Sequence, residues 1–164
     1  GVDAPTSLTS AILKHYGESS VEAMLYRFTA RDVEHPTNIE VARLSRVVLN
    51  EAARGDATAL GLVEKLGHEL ANYALAAARK VGIEHMPFTL VLNGGVFRHE
   101  STVLVDAILE RIHAVTAGVQ PIAARLQPVV GALLLAFEAG EIAVDAALIA
   151  TVEESMPDNG LFET

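Results

Sequence analysis

Apolar residues recur at helical spacing through most of the chain, and the clearest stripe lies between Asp56 and Gly82. Its members are Leu60, Val63, Leu66, Leu70, Tyr73, Ala74, Ala77 and Val81. Side chains three and four residues apart share one face of a helix. The stripe therefore predicts one long amphipathic helix, with Asp56 as its N-cap and Gly82 at its end.

Capping signals predict three further helices before the long one. Thr6 is the expected N-cap of a helix that stops at Gly17. The segments Ser19–Glu22 and Thr37–Glu40 both have the capping-box pattern, in which Ser or Thr is followed three residues later by Glu. Each pattern predicts the start of a helix, and the helix that begins at Thr37–Glu40 is expected to end at Gly55.

The pattern changes at Phe88–Leu92, where five residues of strand character lead into Gly94 and Gly95, and a helix is predicted over 101–117. Glycine has no Cβ, so backbone N–H groups can approach a ligand there, and a helix N-terminus favours negative charge. The turn therefore indicates approach to a phosphate. A sharp turn without any ligand explains the same glycines about equally well, because neither GxGxxG nor GxxxxGK[ST] is present.

A second strand is predicted at Val119–Ile122, where Pro121 indicates a sheet edge or a strand end. A strand–helix–strand crossover predicts that the two strands are parallel. Pro128 then opens a helix whose first turn contains Gly131. That glycine permits close approach to its backbone, but on its own it is better explained by packing against a neighbouring helix.

Composition narrows the possible functions. The net charge is -9 and no cluster of Lys and Arg exists, which argues against nucleic-acid binding. Without cysteine the chain has no disulfide, thiolate metal site or thiol nucleophile. The six histidines have no metal-binding spacing, and only His99, just after the glycine turn, is a candidate for a role. No apolar run reaches the roughly 20 residues of a membrane span, so a cytoplasmic protein is expected.

Several segments, taken in order, resemble the second half of N-acetylglucosamine kinases, in the BadF/BadG/BcrA/BcrD ATPase family. They are Thr6–Thr9 with His15–Gly17, Leu25–Tyr26, Val41–Ala42, Val47–Val48, Glu51–Leu60, Gly67–Ala71, Leu90–Phe97 and Pro128–Ala132. The family belongs to the actin-like and sugar-kinase superfamily. The resemblance implies a helix-rich α/β fold, the C-terminal half of a ribonuclease H-like (actin-like ATPase) lobe, with about two parallel strands covered by helices.

The resemblance also implies a nucleotide site. Gly94 and Gly95 are expected to lie against the adenosine and its α-phosphate, Val96 and Phe97 to shape that wall, and Gly131 to lie in the helix after the last strand. The expected cofactor is ATP or ADP with Mg²⁺. No catalytic residue and no metal ligand is assigned, because the catalytic motifs are expected in an N-terminal lobe outside residues 1–164, which form a single nucleotide-side lobe.

The full protein is accordingly expected to transfer the γ-phosphate of ATP to an amino sugar, and this chain alone to be inactive. Two alternatives remain open: a helical interaction domain that dimerises, and a lobe of a dehydratase-activator ATPase. The strand Phe88–Leu92 is apolar on both faces, which predicts cover on both sides and, for an isolated lobe, a homodimer. An open cleft over Gly94 would favour the nucleotide role, and a filled turn would favour the interaction domain.

Overall fold

The computed structural model describes residues 5–124, 126 and 128–156, which contain seven α-helices and two strands. The elements are α1 (Leu8–Tyr16), α2 (Val21–Thr29), α3 (Asn38–Ala53), α4 (Ala57–Lys80), β1 (Phe88–Leu92), α5 (Val103–His113), β2 (Val119–Ala123), α6 (Pro128–Ala139) and α7 (Ala146–Ser155). The predicted helix-rich α/β class is confirmed. The predicted unit 1–164 extends beyond the described residues at both ends.

The starts of α3 and α4 match the predicted caps, whereas α2 begins one residue later than predicted, because its N-cap is Ser20 and the expected Ser19–Glu22 capping box does not form. The Ser20 hydroxyl accepts a hydrogen bond from the Ala23 N–H at 3.1 Å, at the start of α2. At the start of α3, Thr37 and Glu40 make both bonds of the capping box. The Asp56 carboxylate accepts from the Ala59 N–H at 2.9 Å and so caps α4. Each bond satisfies an N–H group that has no partner within its own helix.

The start of α1 differs by one residue from the prediction, because its N-cap is Ser7 rather than Thr6. Both hydroxyls are drawn to acidic side chains distant in sequence. Thr6 donates to the Asp56 carboxylate at 2.9 Å, and Ser7 donates to Glu51 at 2.5 Å. These bonds fasten the beginning of α1 to the turn between α3 and α4.

The core lies where α3, α4 and α5 pack against one face of the sheet. Its buried members are Leu8, Leu49, Ala52, Ala59, Val63, Ala71, Leu75, Leu104, Ile108, Ile112 and Val119. Helices α4 and α5 cross closely at Gly67, because a Cβ there would lie 2.6 Å from the Cβ of Ala107. Only a residue without a side chain fits at this crossing.

The two strands pair in parallel, as predicted, with Phe88 opposite Val119 and Leu92 opposite Ala123. Helices cover only one face of this sheet in the part of the chain that the structure describes. Side chains alternate between faces along a strand. Leu92 is buried on the covered face, whereas Val91 is 61% exposed on the opposite face. The predicted cover by helices is therefore present on one face and missing on the other.

Helix α6 is apolar around its whole circumference, yet Val130 is its only buried residue among those described. Val129, Leu133 and Leu135 are all exposed. An apolar helix without a polar face is normally buried on all sides. None of the described helices combines the length and the apolar character that crossing a bilayer requires.

Candidate functional site

The turn after β1 depends on glycine at one of its two glycine positions. Gly94 has φ 128° and ψ 162°, a conformation that side chains with a Cβ rarely adopt. Gly95 does not have a positive φ. The backbone of the turn therefore requires glycine at Gly94, and another reason is needed for Gly95.

That reason is not local packing. A Cβ built on Gly94, Gly95 or Gly131 meets no atom within 4 Å, in contrast to Gly67 at the α4–α5 crossing. The space beside the turn is open, as the approach of a ligand to the backbone requires.

The predicted helix does not follow the turn directly. Gly95–Arg98 forms one turn of 3₁₀ helix, and α5 begins only at Val103. Within this 3₁₀ turn the Phe97 N–H donates to the Gly94 carbonyl at 3.2 Å. The N-terminus of α5 is consequently not at the glycines. Any contact with a phosphate here would come from backbone N–H groups of the turn. The dipole of a long helix would not add to the attraction.

Val96 and Phe97 lie behind the glycines, against the core. Both are half-buried and pack against the core cluster. Val96 also lines an apolar pocket of about 190 Å³ with seven residues of α3, α4 and α5: Ser45, Val48, Leu49, Leu62, Val63, Leu66 and Leu104. Two of the predicted site residues thus support the turn from the core side, while Gly94 and Gly95 are next to open space.

Gly131 lies in the first turn of α6. The carboxyl ends of parallel strands meet at the same edge of a sheet, and here the Ala124 N–H donates to the Leu92 carbonyl at 2.9 Å. Helix α6 follows β2 and therefore begins at the edge of the sheet from which the Gly94 turn leaves β1. The sequence order and the parallel pairing direct both glycine segments towards one edge, although α6 has no extensive contact with the described strands.

The structure adds a side chain that no sequence pattern identified. Asn50 on α3 lies within hydrogen-bonding distance of the His99 ring, with 3.1 Å between Asn50 Oδ1 and His99 Nε2. His99 was a candidate only because it follows the glycines. Asn50 is 49 residues away in sequence, and nothing local in α3 distinguishes it from a solvated surface residue.

The carboxylates of Asp56 and Glu51 accept hydrogen bonds from Thr6 and Ser7 and so attach α1 to the turn between α3 and α4. The backbone N–H of Ala59, helped by the Thr6 and Ser7 donors, lowers the pKa of Asp56 to about 2. The Ser7 hydroxyl is the first cause that lowers the pKa of Glu51. The described residues contain no group of three acidic or histidine side chains that could hold a metal ion.

The sequence was compared with models of known protein families. Residues 9–136 match the BadF/BadG/BcrA/BcrD ATPase family. The match includes both strands of the sheet, the glycine turn and most of α6. A comparison with curated proteins gives no match.

Proposed function

The chain belongs to the BadF/BadG/BcrA/BcrD ATPase family, and we propose that it is the C-terminal, nucleotide-side lobe of an ATP-dependent amino-sugar kinase similar to N-acetylglucosamine kinases. In the complete enzyme the γ-phosphate of ATP would pass to a hydroxyl of the sugar. This chain would bind the adenosine and α-phosphate side of the nucleotide through Gly94 and Gly95, with Val96 and Phe97 behind them and Gly131 at the same edge of the sheet.

The open glycine turn is the observation that supports this proposal. Gly94 has a backbone conformation suited to glycine, and neither Gly94 nor Gly95 has a neighbour that would exclude a Cβ. A side chain would occupy the space that the turn leaves free. A phosphate or ribose can come into van der Waals contact with a backbone of this kind, and N–H groups then provide the hydrogen bonds.

Catalysis would require a second lobe. Phosphoryl transfer depends on positioning and on neutralising charge, which Mg²⁺ and its carboxylate ligands supply. The described residues hold no group of three acidic or histidine side chains suited to Mg²⁺. The proposal therefore assigns metal ligands and catalytic base to the partner lobe, and it assigns no catalytic step to this chain.

Titration calorimetry with ADP tests the nucleotide role. Half of a cleft leaves the ligand exposed, so we expect a Kd on the order of 1 mM, or about -4 kcal/mol. No turnover of amino sugars is expected. Submicromolar binding, or turnover of any sugar by this chain alone, would contradict the need for a second lobe.

Gly95→Val is the sharper test, because Gly95 does not have a positive φ and an added side chain meets no neighbour. The variant should fold normally and lose ADP binding, since its side chain projects into the free space beside the turn. Gly61→Val in α4 is a matched control, as Gly61 is also unobstructed and lacks a positive φ. An ADP response that Gly95→Val leaves unchanged would rule out this wall as the nucleotide site.

A second candidate function is an interaction domain that forms a homodimer. Val91 and Ile122 on the open face of the sheet, and Leu135 on α6, are all more than half exposed. Exposed apolar faces and unpaired strand edges are typical contact surfaces, and a symmetric dimer is the commonest way to close them. Light scattering over a range of concentrations would detect the dimer, and a monomer at high concentration would exclude it.

The other ATPase branch considered, a lobe of a dehydratase activator, couples ATP hydrolysis to electron transfer through an iron–sulfur cluster. This chain has no cysteine to ligate such a cluster. The kinase is therefore proposed ahead of it. A complete protein that hydrolyses ATP without phosphorylating any sugar, and that carries a cluster, would reverse this order.

A further inference from the structure

His99 is the residue through which hydrogen bonds join the glycine turn to α3 and to Ser101. His99 follows the 3₁₀ turn, and its backbone N–H donates to the Val96 carbonyl at 3.4 Å. Its ring makes two more hydrogen bonds, one to Ser101 and one to Asn50 on α3. Main chain and side chain of the same residue therefore close the turn and attach it to a helix.

The partners of the ring determine where its proton lies. The backbone nitrogen of Ser101 can only donate, so His99 Nδ1 accepts this bond, at 3.0 Å. In the neutral ring the proton is then on Nε2, which donates to Asn50 Oδ1 at 3.1 Å. One tautomer satisfies both ring nitrogens, and the ring has a defined orientation as a result.

The bridge also reaches the start of α5. The hydroxyl of Ser101, whose N–H binds the His99 ring, accepts from the N–H of Val103, the first residue of α5, at 3.4 Å. The 3₁₀ turn is thereby attached to α3 by two different contacts. The first is apolar, since Val96 packs against the core cluster that includes Leu49 of α3, and the second is polar, where His99 bonds Asn50.

We infer that His99 is a positioning residue for the glycine wall: through Asn50 and Ser101 it fixes the direction in which the backbone of Gly94 and Gly95 faces an incoming nucleotide. This inference rests on the nucleotide role proposed above. His99 itself contacts no nucleotide in this scheme. It orders the turn before the ligand arrives, so that less conformational freedom is lost on binding.

Substitutions at His99 separate the two ring bonds. His99→Ala removes both. His99→Asn keeps an acceptor for the Ser101 N–H, because an Asn side chain readily bonds the N–H two residues later, but it cannot reach Asn50. Asn50→Ala removes the bond to α3 from the other side, so it should match His99→Asn. If the bridge acts as a unit, adding Asn50→Ala to His99→Ala should cause no further change.

The experiment records three properties of the full chain and each variant: the backbone amide NMR signals of Gly94 and Gly95, the Kd for ADP, and the melting temperature. His85→Ala is the matched control, because His85 precedes β1 at the opposite end of the strand and its side chain is 80% exposed. We expect His99→Ala to shift and broaden the two glycine signals and to raise the Kd for ADP about fivefold to tenfold. His99→Asn and Asn50→Ala should give a smaller, equal increase, and His85→Ala none.

A nitrogen-15 spectrum of the wild-type ring provides an independent signature, since the neutral tautomer with its proton on Nε2 should predominate when the turn is closed. Glycine signals and ADP affinity that His99→Ala leaves unchanged would overturn the inference, even if the melting temperature fell. If the glycine signals shift but the wild type binds no ADP, the proposed function is refuted, and the nucleotide part of this inference with it.

Discussion

Helices α4 and α6 are both rich in apolar residues, yet only α4 is buried along its length. The buried residues of α4 are Ala59, Val63, Gly67, Ala71, Leu75 and Ala78, which recur every three or four positions. Helix α6 has the higher apolar content but buries only Val130, while Leu135 is 67% exposed. The more hydrophobic helix is therefore the less covered one.

The difference shows that the arrangement of apolar residues predicts burial within a chain better than their number does. In α4 charged positions lie opposite the buried face, so the helix packs on α3 and α5 with those groups in water. The predicted stripe was wrong in part, because Leu66, Tyr73 and Val81 are exposed and the contact is made mainly by the small residues listed above. Helix α6 has no such set of charged positions. Its sequence suits a helix with neighbours on several sides, and the described residues supply too few of them. In the proposed two-lobed protein, the partner lobe or a second copy would provide the rest.

Truncating one side chain in the core beside α4 and one in α6 tests this contrast most strongly. Ile112 in α5 is completely buried against α4, so Ile112→Ala should lower the free energy of unfolding by about 2–5 kcal/mol. Leu135→Ala in α6 should change it by less than about 0.5 kcal/mol, because the side chain already lies in water. Urea unfolding followed by circular dichroism measures both. Losses of similar size would mean that α6 is as well packed as the core.

Glycine substitutions within α4 sharpen the same comparison, since the expected effects have opposite signs. Gly67→Ala places a Cβ 2.6 Å from that of Ala107, so the helices must separate, at a cost of about 1–3 kcal/mol. Gly61→Ala meets no atom within 4 Å and should stabilise the helix by about 0.5–1 kcal/mol. Thermal melts of both variants decide the matter. Stabilisation by Gly67→Ala would mean that α4 and α5 do not cross as closely as described.

Low pH should destabilise the cap of α4 and the attachment of α1, because both depend on the ionised carboxylate of Asp56. The pKa of this carboxyl is lowered to about 2 in the folded protein, chiefly by the Ala59 N–H, against about 3.9 in an unfolded chain. A lowered pKa means that its stabilising effect is complete above about pH 4 and is lost as the pH falls towards 2. The free energy of unfolding of the wild type should fall as the pH is lowered from about 4 to about 2. The loss should be smaller in Asp56→Asn, and an equal loss in both would exclude Asp56 as its source.

Leu135→Glu is expected to have the smallest effect on the free energy of unfolding. Its effect should be on the equilibrium between monomer and dimer. A charge on the exposed side of α6 should shift any concentration-dependent dimer towards monomer in light scattering. Glu138→Gln on the same helix, at another exposed position, serves as the control. A dimer that withstands Leu135→Glu would place the contact elsewhere, for example at the open face of the sheet.

Features that depend on a few adjacent residues were predictable from the sequence. Gly17 ends α1 in the left-handed conformation, with φ 70°. Thr37 and Glu40 form the capping box, and the bounds of β1 agree with those predicted. In each case the chemistry that fixes the structure lies within the segment itself, so no knowledge of the tertiary fold is needed.

Features that depend on distant partners were not predictable. The pattern Gly94–Gly95 does not tell which glycine takes the positive φ, nor that a 3₁₀ turn separates it from α5. The bond between His99 and Asn50, and the open outer face of the sheet, depend on how helices pack. The assignment of Gly94, Gly95 and Gly131 to a nucleotide stays a prediction, which the Gly95→Val experiment addresses.

The parallel pairing of β1 and β2 has a consequence for the order of folding. Phe88 and Val119 are partners in the register, and the chain between them contains all of α5. Closing such a loop costs conformational entropy before any hydrogen bond between the strands forms. Helices α4 and α5 can pack together earlier, because only β1 and its turn lie between them in sequence. We therefore expect the α4–α5 pair to form early and β2 to join late. In pulsed hydrogen exchange during refolding, the amide of Leu75 should gain protection before that of Ala124, which bonds the end of β1 only after the sheet has closed.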